Sequence, residues 1–505
     1  MMREFDVVVV GGGTAGALCA RRLSECTEAS VLVLEAGPAF PRWALGVPLA
    51  SYRLRRPWSW DYRSVPQAAL GGRRIRYPMG KVLGGSSSVN AMIAAHGPAA
   101  DYDAWAADGC DGWSWRDLEP IWRRATGQRR DGGVSVECPS FTAPFTDALN
   151  QACREYGLTP VDALTGGQAQ TCGRFPLFQR SRRRYSTAQA LQSAGHGGRL
   201  VVKSRATVRR VLFEHDRAVG VECGDSRSTF VVRARTGVVL TAGVFGSPAI
   251  LMRSGVGPAE RIRAAGVELR CNLPGVGENL QDHVGVPVVW RSRAPSPGRK
   301  SRWIPAAVEY ALRGSGVMAS NGCEGGAFLG LAGQSPDLEI AALFQSALHP
   351  RAVEMSAIVM HPESRGVVSL DPRQPDGPPL IDPRFLSAPD DARRLRQCVD
   401  AIRDIASQPS LRGFGLTEEL MPGRADVMDH IRRHASTHYH PVGTCRMGRD
   451  TMTVVNPSLA VHGTRGLWVC DNSIVPRLPA GHSAATAMII GERGADLIAS
   501  QLAAG

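Results

Sequence analysis

The first apolar positions fall into two short runs with a glycine-rich turn and a helical segment between them. Val7 to Val10, between Asp6 and Gly11, is an uninterrupted apolar run, as expected of a parallel strand buried on both faces. Gly11, Gly13 and Gly16 follow, Ala17, Leu18 and Ala20 open a helix, and Val31 to Leu34 forms a second strand that delivers Glu35. This predicts a strand–helix–strand unit. Leu200 to Val202, Val208 to Leu212 and Ala218 to Glu222 are short alternating runs that predict a small antiparallel meander, after which Val238 to Leu240 rejoins the first sheet. Ile358 to Met360, Val367 to Leu370 and Leu380 to Ile381 predict strands separated by loops. Leu395, Val399, Ile402 and Ile405 recur at helical spacing and predict a helix over Asp390 to Ser407, and an apolar helix is predicted beyond Ser483, ending near Ile498. The text between Phe40 and Tyr77 is rich in Pro, Trp and Arg and predicts an excursion across the surface or over a ligand.

The glycine spacing carries chemistry. In G-x-G-x-x-G, Gly11 permits the tight turn, Gly13 lets the backbone approach a pyrophosphate, and Gly16 lets the helix lie close to the strand. The helix start at Thr14 and Ala15 offers unpaired N–H groups and a positive dipole end to the phosphates. Glu35 is placed to accept hydrogen bonds from a ribose and to repel a 2′-phosphate, which favours FAD or NAD over NADP. A second block, Gly80 to Met92, contains Gly84, Gly85, three serines and Asn90, a loop whose backbone can press against a flat or phosphorylated ligand.

Composition changes little in this picture. Over 505 residues there is sequence for about three domains. The 59 basic residues are almost all arginine, the lysines being Lys81, Lys203 and Lys300, and they are scattered, which fits a GC-rich coding bias better than a nucleic-acid surface. Clusters such as Arg180 to Arg184 read as solvated surface, and the net charge of +13 is compatible with anionic substrates or an acidic membrane face. No segment has the length of apolar residues that a membrane span needs. No secretory signal is legible at the N-terminus, and twelve cysteines without C-x-x-C suit reduced thiols, so a cytoplasmic location is expected.

The block Gly80 to Asn90, taken with the opening unit, resembles the first signature of the glucose-methanol-choline oxidoreductases, FAD-dependent enzymes acting mostly on alcohols. The resemblance extends through Asp101 Tyr102 Asp103, Trp105, and Gly112 to Trp115. It continues with Val239 to Gly243 plus Gly246 Ser247 Pro248, and Pro274 to His283. It implies an α/β fold, α+β overall, with a Rossmann-like FAD-binding domain and a second substrate domain of antiparallel sheet backed by helices. The implied layout is FAD-binding in 1–155, 196–283 and 438–505, a connecting segment in 156–195, and substrate binding in 284–437. Beyond Gly11, Gly13, Thr14, Ala15, Gly16 and Glu35, cofactor contacts are implied at Val82, Gly84, Gly85, Asn90, Ala91, Met92, Ile93, Val208, Ala242, Asp471, Asn472, His482 and Ser483.

The family's catalytic pair matches His440 and His482. Alcohol oxidation must remove a hydroxyl proton and a carbinol hydride; imidazole suits the first task, and a second imidazole can help stabilise the oxygen's charge. The reaction implied is oxidation of a small-molecule alcohol to a carbonyl, with hydride transfer to flavin N5 and His440 as base. His430, His434 and His438 are spaced by four, as metal ligands on one helical face are, but Arg432 and Arg433 lie among them and the family uses no metal; none is expected. Members with covalent FAD attach it through a histidine where this chain has Val89, so noncovalent FAD is implied. Tyr439 sits where an aromatic can narrow access to the flavin. The electron acceptor is a quinone, another carrier, or oxygen. Two other classes stay open: a cyanohydrin lyase of the same fold, and an NAD-dependent dehydrogenase. The compact length and arginine-rich text also resemble the mycofactocin-associated branch, which implies a reduced peptide-derived cofactor as substrate.

Overall fold

Val7, Val8 and Val9 are fully buried in the strand Glu4–Val10, which has parallel partners on both edges. The computed structural model describes residues 4–41, 45–49, 56–127, 133–193, 198–224, 228–293, 303–331, 335–349 and 351–504. Val7 to Val10 pair in register with Val31 to Leu34 on one side and with Gly237 to Leu240 on the other. The sheet runs Val208–Glu214, Arg217–Gly224, Thr229–Leu240, Glu4–Val10, Val31–Glu35, Leu200–Ser204, and Leu467–Val469 pairs parallel with the end of Thr229–Leu240. The predicted meander needs correction. Leu200–Ser204 is a parallel edge strand beside Val31–Glu35, and the antiparallel ribbon consists of Val208–Glu214, Arg217–Gly224 and the first half of Thr229–Leu240. Alternation reveals a half-exposed strand and not the direction of its neighbour.

The helix Thr14–Cys26 crosses from the first strand to the second and packs along the C-terminal helix Ser483–Ala504. The latter runs past the expected end near Ile498. Arg21 in the first helix donates to Glu492 Oε1 at 2.7 Å, with Glu492 fully buried, so the beginning and end of the chain are tied together.

The second sheet has eight strands. Its main path is Leu416–Met421, Val284–Ser292, Ala352–Val359, Leu338–Leu343, Gly325–Leu329, Thr171–Arg174 and Thr159–Val161, with Ser436–Thr437 beside Val284–Ser292. Only Thr159–Val161 with Thr171–Arg174 is parallel. The helix Pro389–Ala406 backs this sheet with Leu395, Val399, Ile402 and Ile405, all fully buried, as its spacing predicts. Pro144–Glu155, on the cofactor side of the expected boundary at 155, also packs on this sheet. The stretch from Phe40 to Tyr77 lies partly outside the described residues. The rest includes Ser59–Arg63, which pairs with Arg76–Gly80 as a hairpin, so its aromatic residues sit on a ribbon. The cavity lies where the two sheets meet.

Candidate active site

The chain leaves the first strand at Gly11, which has φ 108°, and its N–H donates to the Leu34 carbonyl at 2.8 Å. A Cβ on Gly16 would stand 2.0 Å from the Gly11 carbonyl oxygen, and one on Gly11 would stand 2.5 Å from that of Thr241; on Gly13 the nearest atom would be 3.9 Å away. Two glycines therefore serve close packing of the protein against itself. The third keeps space open at the helix start, where unpaired N–H groups favour an anion. Glu35 accepts from Gly12 N–H at 2.9 Å and Gly37 N–H at 2.7 Å. Burial pushes its carboxyl up to about 7, with both hydrogen bonds pulling the other way. A carboxylate has about four acceptor sites, so capacity remains for hydroxyl donors from the cavity.

The second glycine loop lies on the first. Gly84 N–H donates to the Gly12 carbonyl at 2.7 Å, and a Cβ on Gly85 would come 2.7 Å from Gly13 Cα. Arg184 holds this loop from behind: its Nη1 donates to Ser87 O at 2.9 Å and Asn90 Oδ1 at 2.8 Å, and its Nη2 to Asn90 O at 2.6 Å. The sequence reading placed Arg184 in a solvated cluster; it is 2 % exposed, and burial pushes its guanidinium down to about 9. Asp471 accepts from Gly243 N–H at 2.8 Å and Ser247 Oγ at 2.6 Å, tying the helix Gly243–Arg253 to the end of Leu467–Val469. Asn472 Nδ2 donates to Ser483 O at 2.8 Å, while its buried Oδ1 has no protein partner.

These elements border a cavity of about 1340 Å³. A single small-molecule site usually takes about 300–1,000 Å³, so this one has room for a dinucleotide and a substrate together. Of the residues expected at the cofactor, Gly11, Gly13, Thr14, Ala15, Glu35, Gly85, Asn90, Ala91, Met92, Ile93, Val208, Ala242, Asp471, Asn472, His482 and Ser483 border it. Gly16, Val82 and Gly84 do not. Gly16 lies under the helix start, Val82 is fully buried with its carbonyl accepting from Gly85 N–H, and Gly84 packs on Ser88 and Ala188. The open space at Gly13, the spare acceptors of Glu35 and the unpartnered Asn472 Oδ1 fit FAD.

Four histidines meet at the other end. His440 and His482 have ring centroids 4.5 Å apart, at 67°. The His440 N–H donates to Asp282 Oδ1 at 2.9 Å, fixing the backbone, and its Nδ1 lies 2.9 Å from His283 Nδ1. His283 Nε2 has no hydrogen-bond partner among the described residues. The Nδ1–Nδ1 contact needs one ring to donate and the other to accept; with His440 Nδ1 as the donor, His440 Nε2 keeps its lone pair. Burial, reinforced by His482, His283 and His438, holds His440 well below the usual imidazole range, so it is neutral near pH 7. His482 Nε2 lies 3.0 Å from Oε1 of the fully buried Glu339, whose Oε2 has no hydrogen-bond partner.

His438 does not share a helical face with His430 and His434. The helix Val427–His434 ends first, and Ser436–Thr437 carries the chain into the cavity wall. There His438 packs on Gly285, where a Cβ would come 2.3 Å from its Nε2, and burial pushes its imidazole down to about 4. His430 is committed elsewhere, its Nε2 lying 2.8 Å from the Pro287 carbonyl. Tyr439, at φ 66° and 44 % exposed, borders the cavity beside His440. Sequence reasoning missed His283, although it lies in a matched segment, and Glu339, whose signal is a lone acid in the apolar strand Leu338–Leu343.

The GMC oxidoreductase family profiles match residues 5–285 and 362–491, which include both glycine loops, the Asp471 turn and the histidine pair. The chain is a GMC oxidoreductase. This GMC enzyme is 33% identical to an oxygen-dependent choline dehydrogenase of Rhizobium etli, over 98% of this chain and 95% of that protein. It is 37% identical to an uncharacterised GMC-type oxidoreductase of Mycobacterium bovis, over 99% of this chain and 100% of that one. The crystal structure of pyridoxine 4-oxidase from "Mesorbium loti" superposes with a TM-score of 0.87 at 30% identity, covering 97% of this chain and 98% of that one. A fungal aryl-alcohol oxidase superposes with a TM-score of 0.88 at 27% identity over 100% of both chains. Family members act on CH–OH groups and bind FAD, which makes this GMC oxidoreductase a flavoprotein enzyme. No helix among the described residues is long and apolar enough to cross a membrane.

Proposed function

We propose that this GMC oxidoreductase oxidises an alcohol to a carbonyl with noncovalently held FAD, His440 serving as general base. The observation that carries the reading is the half-buried His440 imidazole on the cavity wall, tied through Nδ1 to His283 and facing His482 across 4.5 Å. Gly13, Thr14, Ala15 and Glu35 would hold one end of FAD, and Gly85, Asn90, Ala91 and Met92 would approach its ring system. When bound, FAD supplies the acceptor for the hydride that leaves the carbinol carbon. His440 Nε2 accepts the hydroxyl proton, and His482, its Nε2 held by Glu339, polarises the same oxygen when its Nδ1 also carries a proton to donate. Val89 supports noncovalent attachment, since it borders the cavity where covalent members carry histidine.

On the substrate side, Glu339, Ala341 and Leu343 alternate along one strand and Glu354, Ser356 and Ile358 along the next, all bordering the cavity. Glu354 accepts from Ser346 Oγ at 2.9 Å. Alcohols with a polar or cationic far end, such as choline and pyridoxine, therefore head the substrate screen, followed by aryl alcohols and a reduced peptide-derived redox carrier of the mycofactocin type. The test is anaerobic mixing with each compound. Bleaching of the flavin by at least one alcohol is expected, with the yellow chromophore released on acid denaturation. A cyanohydrin split without bleaching would move the reading to a lyase, and a colourless protein would move it to an NAD enzyme.

A further inference from the structure

The helix Trp303–Arg313 lies on the surface, outside the cavity lining, held by Ala306 and Tyr310 one turn apart. Its outer side is apolar. Ile304, Val308 and Leu312 follow at intervals of four, which places them on one ridge, and they are 80 %, 52 % and 80 % exposed. Ala307 and Ala311 are exposed along the same helix, and its one acid, Glu309, accepts from Ser315 Oγ at 3.3 Å. Isolated apolar residues are ordinary on a protein surface; a continuous ridge marks a contact face.

The flank of this ridge is basic. The turn between Gln179–Arg180 and Arg183–Arg184 is joined to the helix: Tyr310 Oη donates to the Arg182 carbonyl at 3.1 Å, and Arg182 Nη1 donates to the Arg313 carbonyl at 3.1 Å. Arg180, Arg182, Arg183 and Arg313 are exposed, and none forms an ion pair among the described residues.

We infer that this face docks in the plane of an anionic membrane surface. An apolar helical ridge flanked by arginines is the composition of an interfacial helix, whose apolar side enters the headgroup boundary while its cations meet anionic lipid. A second copy of this chain fits the face poorly, because four arginines would meet four arginines on a molecule of net charge +13. The contact is peripheral, since no described helix can span a bilayer. It also has an address: a few residues after Arg313 the chain reaches Asn321, Gly322 and Cys323, which border the cavity, Asn321 Nδ2 donating to the Ala91 carbonyl at 2.8 Å.

The test is co-sedimentation of the FAD-loaded enzyme with vesicles of phosphatidylcholine alone, or of equal parts phosphatidylcholine and phosphatidylglycerol, at low and high salt. Binding to the anionic vesicles that weakens with salt is expected. Arg180→Glu with Arg183→Glu should weaken it by about fivefold or more per arginine, and Ile304→Glu with Leu312→Glu should abolish it. Both variants should keep wild-type flavin content and anaerobic reduction rate. Failure of the wild type to bind at low salt, equal binding to neutral vesicles, or unimpaired binding by both variants would overturn the inference. So would a wild-type dimer that Leu312→Glu dissociates, which would assign the ridge to a second copy.

Discussion

His440 owes its position to a backbone bond to Asp282 and its orientation to His283, two groups that precede it by more than 150 residues. Replacing it with alanine should lower the rate of anaerobic flavin reduction by about 10²–10⁴-fold while flavin stays bound; near-wild-type reduction would transfer the base to His482. His482→Asn should lose less than His482→Ala. The double variant with His440→Ala should lose less than the product of the single losses, because both rings act on one developing charge. The working form of the base is neutral imidazole, and burial lowers its pKa, so the base survives as pH falls through 6.5 and is lost only at lower pH. Stopped-flow reduction should show its acid limb below pH 6.5, and a limb at or above that value would contradict the assignment. The pair was legible because each histidine sits in a short motif. Glu339 was not, since its partner lies 143 positions away and its strand reads simply as apolar. Arg184 was misread for a related reason: neighbouring arginines in sequence share a composition but not an environment.

At the level of elements, the opening unit was readable because all its constraints are local: apolar runs, glycine spacing and an acid fall within about forty residues. Its glycines divide the work in a way that can be measured separately. Gly13 has φ −74° and open space beside it, so Gly13→Ala should fold with a melting temperature close to wild type in the flavin-free protein, yet bind FAD more weakly. Gly16→Ala forces a methyl to within 2.0 Å of a carbonyl oxygen and should cost about 1–3 kcal/mol of stability even without flavin. Equal melting temperatures for the two variants, with FAD titrated against each, would defeat this division. Non-local pairing was beyond the pattern. Leu200–Ser204 alternates like a ribbon strand but adds a parallel edge, and the spacing of His430, His434 and His438 suggested one face only as long as the helix was assumed to continue.

For the whole molecule, the cavity brings the glycine loops and the histidines together between two sheets, and Tyr439 stands half-exposed beside the histidines. That placement leads to the expectation that a quinone or another carrier reoxidises the reduced flavin faster than oxygen does. Double-mixing stopped-flow with each acceptor checks it, and peroxide formed in air at the rate of substrate turnover would refute it. Tyr439→Ala should speed the oxygen reaction if the ring limits access.

The tie between the chain's two ends has a further consequence, for the order of events during synthesis. Every described strand of the second sheet has been made once Thr437 is reached, whereas the first sheet still lacks Leu467–Val469, and its first helix still lacks the partner carrying Glu492. Domains fold as units while the chain emerges. The glycine-loop unit, made first, is therefore closed last, and a polypeptide released before Ser483 would carry the described strands of its second sheet in full while the apolar flank of its first helix stayed open to chaperones and proteases.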